Sequence, residues 1–555
     1  MRCRVLFAAL ALALPVLPVA AAELFVSTAG NDSSGNGSAA SPYRTVKRAI
    51  SASRAGDTVT VRAPSANRTY NECDVRLRHR LTLRSPAGER AIIHCNPNTA
   101  NTVTIQVDPA ASGSRIANLE ISGGYYYAVM LQTNWYQGGP SSDTGASNVV
   151  MEDLLIRDTG RDGIKITPKS NNAVIRRVEI RNTGVREGGN ADGIDNVNGD
   201  GMVVEDSYIH DTATTGLYFK GGARNVVIQR NRIENTGDAG ILVGFDTSPE
   251  FFDLSVNPQY YEAIGGIVRN NVVRNTRYSG IGMYASKDTV VANNTIVNAA
   301  SGGHSAIYFG VTLQDYDPAA GRPANVNPKI VNNLVIQGNN RCMEIRYSSE
   351  LGGLSGLSGS PGSNWNGFGN GCVFRDGRPG SGFSQGSLAQ WRSALNADAN
   401  SKQANYTVDA TGRLPAGSPA INAGTTVAEV ADDIDRQPRS VPYDLGADEV
   451  VSTAPPANRV RRSGSQPLGR GGASAAQPAA AASARAVSSA PARSTTSATS
   501  GVDAAVEAGA GQPVATAVAV RTGVRIAPPA LQLWARLRGW WAAHQAGAAE
   551  SLRRD

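Results

Sequence analysis

A chain of 555 residues, 41% hydrophobic and 18% charged, is long enough to bury a large core, and its formal charge of +7 invites a nucleic-acid partner. That charge is unevenly spread: residues 453 to 555 hold 12 Arg against 4 acidic residues and the first 22 hold 2 Arg, which leaves 39 basic and 42 acidic residues in 23 to 452, or −3. The body of the chain is therefore excluded as a basic nucleic-acid binder, and any affinity for a polyanion has to come from a local cleft.

Residues 1–22 have the layout of a secretory signal peptide: Arg2 and Arg4, an apolar run from Val5 to Val19, and Ala20-Ala21-Ala22 as a small-residue cleavage site. The mature chain is expected to begin near Glu23 and to be secreted, with periplasm or cell surface as alternatives. No later segment approaches the roughly 20 apolar residues that span a bilayer. In 23–115, a cap with the first coils, Val46, Ala49 and Ile50 follow helical spacing and predict a short helix over the open end of whatever comes next.

Internal repetition dominates 116–345. Short alternating stretches end at Ile156, Ile180, Ile209, Ile233, Val273, Ile296 and Ile336, so the steps are 24, 29, 24, 40, 23 and 40 residues: a unit of about 23 with insertions. Each stretch is followed by a polar turn and then Gly plus an apolar residue, as in Gly163-Ile164, Gly193-Ile194, Gly216-Leu217, Gly240-Ile241 and Gly280-Ile281. Period-two alternation with Asn, Asp and Gly at the corners predicts strands and tight turns, and units this small bury their apolar faces only by stacking into a β-solenoid. Asn270-Asn271, Asn293-Asn294 and Asn332-Asn333 fit corners that stack between coils and tolerate left-handed backbone.

Cys73, Cys95, Cys342 and Cys372 form an even set for an oxidising compartment, and spacings of 22 and 30, about one repeat unit, suit bridges 73 to 95 and 342 to 372 between adjacent coils. Residues 346–451 are expected to hold the last coils and a closing module, with 350 to 385 a Gly/Ser-rich loop. Residues 452–526, rich in Ala, Ser, Pro and Gly, have the composition of a disordered linker, and 527–555 carry an amphipathic pattern with Trp534, Trp540 and Trp541.

Counting from each corner glycine, positions +1 and +3 are mostly apolar, so +2 and +4 are expected to face out. The +2 series is Lys165, Asp195, Tyr218; the +4 series is Thr167, Val197, Lys220. Asp162 and Asp192, each just before its glycine, approach the same edge. Several carboxylates suit Ca²⁺, which takes hard oxygen ligands in flexible geometry, and a lysine beside them suits a base. Lys165 and Arg224 are candidate ligands for substrate carboxylates, with Tyr218 beside them. The insertion from Asp246 to Ala263, with Phe251, Phe252, Tyr260 and Tyr261, fits either a wall on which sugar rings stack or a simple cover.

The opening Leu24-Phe25-Val26-Ser27-Thr28-Ala29-Gly30-Asn31-Asp32, with Ser41-Pro42-Tyr43-Arg44-Thr45 and Gly56-Asp57-Thr58-Val59, resembles the start of secreted bacterial right-handed β-helix proteins related to family 9 polysaccharide lyases. Asp162-Gly163, Asp192-Gly193-Ile194-Asp195 and Phe219-Lys220-Gly221-Gly222 are similar to that family's site motifs. The resemblance implies a right-handed parallel β-helix and cleavage of a pectate-type polymer. It implies Asp162, Asp192 and Asp195 as Ca²⁺ ligands and Lys220 as the Brønsted base. Three departures stand in the motif: Ala191 where the family has another aspartate, Ile194 in place of an aromatic residue, and Lys220 at +4 rather than +2. Segment 418 to 449 resembles the module that closes many secreted β-helices.

The expectation is thus an all-β right-handed parallel β-helix with a short N-terminal capping helix and a disordered C-terminal tail. Its expected function is a secreted lyase that cleaves an acidic, uronate-containing polysaccharide with Ca²⁺. No nucleic acid and no transmembrane segment are expected, and the chain is expected to be a monomer. The alternatives are a non-catalytic carbohydrate-binding or adhesive surface protein and a β-helix glycoside hydrolase, which needs paired carboxylates.

Overall fold

The computed structural model describes residues 21–64, 68–134, 141–312, 322–337 and 341–450. The expected signal segment, apart from its last two residues, and the expected linker and tail at 452–526 and 527–555 lie outside the described residues. Among those described, no helix is long and apolar enough to cross a membrane.

Three sheets of twelve strands each are built by coils that contribute one short strand to every sheet in turn. Pairing along the sheets is parallel except at the last strand of one, Gln385–Gly386, which runs antiparallel to Val373–Asp376, and the inward residues of one sheet form a column: Ile156, Ile180, Ile209, Ile233, Val273, Ile296 and Val335. None of the seven is accessible to solvent. Adjacent coils lie about 4.8 Å apart, and each fully buried Ile or Val contributes about 2 kcal/mol of hydrophobic stabilisation.

The last repeat departs from its expected alignment by one residue. Val335, not Ile336, faces Ile296, and Ile336 stands opposite Val297. Leu334-Val335-Ile336 is apolar throughout, so alternation is silent there. Leu334 points outward yet is fully buried, because Tyr406, Leu414, Ala420, Ala423 and Leu445 cover it. The segment 418 to 449 is thus laid against the side of the coils: Gly446 N–H donates to Asn332 O, and Arg439 donates to the Asn270 side chain.

The asparagine corners do what their sequence suggests. Asn270, Asn293 and Asn332 adopt left-handed φ of 55°, 53° and 56°. The following residues turn inward and make an amide ladder, in which the Nδ2 of Asn231, Asn271, Asn294 and Asn333 each donates to the Oδ1 of the next coil's Asn, ending on Asn366, at 3.0 to 3.1 Å. Asn294 also donates to the carbonyls of Val268 and Ala292. Asn294→Ala leaves buried donors and acceptors on two coils unpaired. A loss of about 2–4 kcal/mol is expected, read as a lower denaturant midpoint at unchanged m-value.

Helix α1, Val46–Ala52, forms where helical spacing predicts it, with Thr45 as N-cap and Val46, Ala49 and Ile50 buried against the first coils. Disulfides join Cys73 to Cys95 and Cys342 to Cys372. The expected loop at 350 to 385 is mostly turn and irregular backbone, but it also carries short strands. Ser363–Asn364, Gly367–Gly369 and Val373–Asp376 add a further coil, because Phe368 and Phe374 supply its buried face. A second helix, α2, Leu388–Leu395, follows with Ser387 and Gln390 as a capping box, and Trp391 packs 5.4 Å from the Phe374 ring. Eight residues hold too few turns for a helical period to show in the sequence.

Candidate active site

The column of corner glycines sets the site. A Cβ on Gly163 would stand 2.6 Å from Gly193 O, and one on Gly193 would stand 2.3 Å from Gly216 O, so only glycine lets the coils approach here. The residues around these glycines are therefore held in fixed register. Lys165 pairs with Asp195, Asp195 with Tyr218, and Val197 with Lys220.

Asp162, Asp192 and Asp195 come together: each offers a carboxylate oxygen within 4.8 Å of the others. The expected strand parity holds, but the expected exposure does not. Asp162, Asp192, Asp195 and Tyr218 are 0, 3, 2 and 4% exposed. Covering segments lie over this part of the sheet, and alternation along a strand carries no information about them.

Asp162 Oδ1 accepts Asp192 N–H at 3.0 Å. Asp192 Oδ1 accepts Thr214 Oγ1 at 2.7 Å and Thr215 N–H at 2.9 Å. Asp195 is ion-paired with Lys165. No hydrogen bond reaches Asp162 Oδ2 or Asp195 Oδ1, both buried. Burial, then Asp195 and Asp192, push the Asp162 carboxyl well above the usual range. Burial and then Asp195 raise Asp192 to about 6. Burial opposes the charge on Lys165, but Asp195, Tyr127 and Asp162 together hold its pKa above the ordinary value. Burial, then the three aspartates, keep Tyr218 protonated, and burial raises Tyr127 to about 12. The cluster is short of positive charge, and its donors are all hard oxygens, the set that a divalent cation such as Ca²⁺ takes.

Lys220 is half-buried and donates to Asp246 O at 2.9 Å, with its Nζ 4.5 Å from the Tyr218 ring centroid and 5.4 Å from that of Phe245. Its charge is felt at Asp192. Arg224 is not brought into this cluster: it lies in a separate three-stranded sheet, and its Nε and Nη2 both donate to Asp200 Oδ2. Ala191 is fully buried beneath Gly184, where a Cβ would stand 2.7 Å from the Ala191 methyl, so position 184 is confined to glycine.

The insertion at 246 to 263 acts as cover. Phe252 is buried edge-on to Tyr260 at 5.3 Å, Asp253 pairs with Lys169, and Asn198 donates to Phe251 O. Its inner anchor is Glu262, wholly buried, which accepts Gly221 N–H at 2.9 Å, Thr247 Oγ1 at 2.6 Å and Arg322 Nε at 3.0 Å. Phe245, at the start of the insertion, remains 38% exposed beside Lys220.

Outward Tyr218, Leu242, Tyr284 and Tyr308 pack together further along the same sheet, and His304 stacks on Tyr308 at 4.1 Å. Burial, then Arg346 and Arg341, lower the His304 pKa to about 4. Because the unfolded chain binds that proton more readily, stability present above pH 6.5 is expected to fall as pH drops toward 4, by at most about 3 kcal/mol. His304→Gln is expected to flatten this part of a melting-temperature profile.

Tyr127, Phe245, Glu262, Arg322, Arg161 and Arg186 were not singled out by motif. For Arg186, Phe245, Glu262 and Arg322 the insertions behind the 29- and 40-residue steps were the signal, since extra residues leaving a corner have only the coil's outer face to cover; Tyr127 and Arg161 lie outside those steps and carried no such signal.

A family model described as right handed beta helix region matches residues 104–257 and 144–310, and the solenoid is a right-handed parallel β-helix. No curated protein matches. Among solved structures, the chain is similar to pectate lyase Pel9A at 16% identity and TM-score 0.45, covering 77% of this chain and 96% of that one. It is also similar to XylC in complex with xylose, at 11% identity and TM-score 0.45 over 77% and 98% of the two chains. A third is the GH136 lacto-N-biosidase from Eubacterium ramulus, at 12% identity and TM-score 0.42 over 64% and 65%. These likenesses concern the fold.

Proposed function

We propose that the chain is an exported polysaccharide lyase that cleaves an acidic, uronate-containing polymer by Ca²⁺-assisted β-elimination. The observation that carries this reading is the trio Asp162, Asp192 and Asp195, buried together with two oxygens left without hydrogen bonds. When bound there, Ca²⁺ would neutralise the substrate carboxylate and stabilise the enolate-like charge that develops on it. Asp162, Asp192 and Asp195 would hold the ion, and Asp195 would then leave the Lys165 ammonium to face the polymer. Lys220, once deprotonated, takes the C5 proton. The electron pair forms the C4–C5 double bond, the C4–O bond breaks, and the leaving oxygen takes a proton from water. Tyr218 offers an O–H beside the reacting sugar, and Phe245 offers an exposed ring on which a sugar face stacks. Two disulfides support an oxidising destination.

A hydrolase needs a pair of carboxyl groups, whereas three that each bring an oxygen within 4.8 Å of the others supply the several hard ligands an ion takes. The test is incubation with polygalacturonate, alginate and glycosaminoglycans, with and without chelator, following the ultraviolet absorbance of the unsaturated product. Product that disappears on chelation is expected; no product from any polyuronate sinks the reading, and binding without turnover turns it toward the adhesive alternative. Lys220→Ala is expected to lower kcat about 100- to 10,000-fold, the range for a lost general base.

A further inference from the structure

The 29-residue step carries an insertion, Val185 to Asn190, that folds back onto the preceding coil: Val185 N–H donates to Thr159 O and Glu187 N–H to Gly160 O. It delivers Arg186 to the face of Tyr125, the guanidinium carbon 3.7 Å from the ring centroid, with Nε bonded to Tyr125 O at 2.9 Å. Arg161, the residue before Asp162, lies 5.3 Å from the Tyr126 ring centroid. Both arginines converge on one carboxylate, Glu187, at 2.7 Å from Arg161 and 3.0 Å from Arg186. Their side chains are only 17 and 15% exposed, and Arg161 Nε and Arg186 Nη2 have no hydrogen-bond partner.

Two planar cations fixed by aromatic rings, with one anion between them and donors to spare, are preorganised for a second planar anion. They border the acid cluster: Arg161 directly precedes Asp162, and Lys165, ion-paired with Asp195, lies with its Nζ 5.9 Å from the ring centroid of Tyr127, the next residue after Tyr126. We infer that Arg161 and Arg186 form a carboxylate-binding subsite next to the acid cluster, which holds the uronate adjoining the sugar that reacts. This rests on the proposed uronate lyase reading of the site. Guanidinium groups also take sulfate esters, so the ligand set has to separate the two anions.

The test measures binding of an oligogalacturonate, its carboxyl-reduced counterpart and a sulfated neutral oligosaccharide to wild type, Arg186→Ala and Arg186→Lys, with Ca²⁺ present. Arg186→Ala is expected to weaken the acidic oligomer about 10- to 100-fold and the reduced one hardly at all, with partial recovery in Arg186→Lys. In turnover the same variant is expected to raise KM while kcat changes little. Equal loss on both oligomers, no loss on either, or tighter binding of the sulfated sugar overturns the inference. The readout is a ratio between ligands on one protein, so a merely destabilised variant does not imitate it. Absence of product in every assay would defeat the lyase reading and leave the binding contrast legible. Product without that contrast would defeat the subsite alone.

Discussion

Asp162→Asn is expected to make the cation-free protein more stable while abolishing both its stabilisation by Ca²⁺ and its turnover. The asparagine oxygen can keep the bond from Asp192 N–H, and its amide replaces Asp162 Oδ2, a buried oxygen with no hydrogen bond. Removing one of three clustered buried carboxylates is expected to add about 1–3 kcal/mol in chelator. In wild type, Ca²⁺ at a hundredfold excess over its Kd is expected to add about 2.7 kcal/mol, a gain the variant should lack. Melting curves with and without Ca²⁺ check both signs. A variant that loses stability in chelator, or one still stabilised by Ca²⁺ like wild type, would remove Asp162 from the site.

Glu262→Ala is expected to cost about 3–5 kcal/mol and to lower activity beyond what the lost stability explains. The mutation removes the ion pair of Glu262 with Arg322, both side chains wholly inaccessible, and it strips Gly221 N–H and Thr247 of their acceptor. Gly221 follows Lys220 directly, and the carbonyl that holds the Lys220 amine belongs to Asp246, next to Thr247. One carboxylate thus fixes the cover and the lysine beneath it. Chemical denaturation reads the first effect. Faster proteolysis within 246 to 263, with kcat reduced in the fraction still folded, reads the second. Glu262→Gln, which keeps an acceptor but no charge, is expected to fall between the two proteins.

The solenoid was legible because its determinants are local and repeated. Each coil restates the same inward Ile or Val, the same corner Gly and the same Asn, so errors in one unit are corrected by the next. Where a single unit stood alone, the signal failed. Leu334-Val335-Ile336 lost its parity to an outer covering, the Gly-rich coil around Phe368 hid its strands, and α2 was too short to show a period. At the site, strand parity placed Lys165, Asp195 and Tyr218 in one column and the acids at one edge, as register requires.

What the sequence by itself determined, then, is the stack: a repeating period fixes which residues face the core, and registry between coils follows from burying that face. What only the tertiary structure decided is what lies over the outer face. Burial of the three aspartates, the hold of Asp246 on Lys220 and the arrival of Arg186 beside Arg161 all depend on segments that occur once each. Their positions follow from contacts tens of residues apart, and no periodic pattern records such contacts.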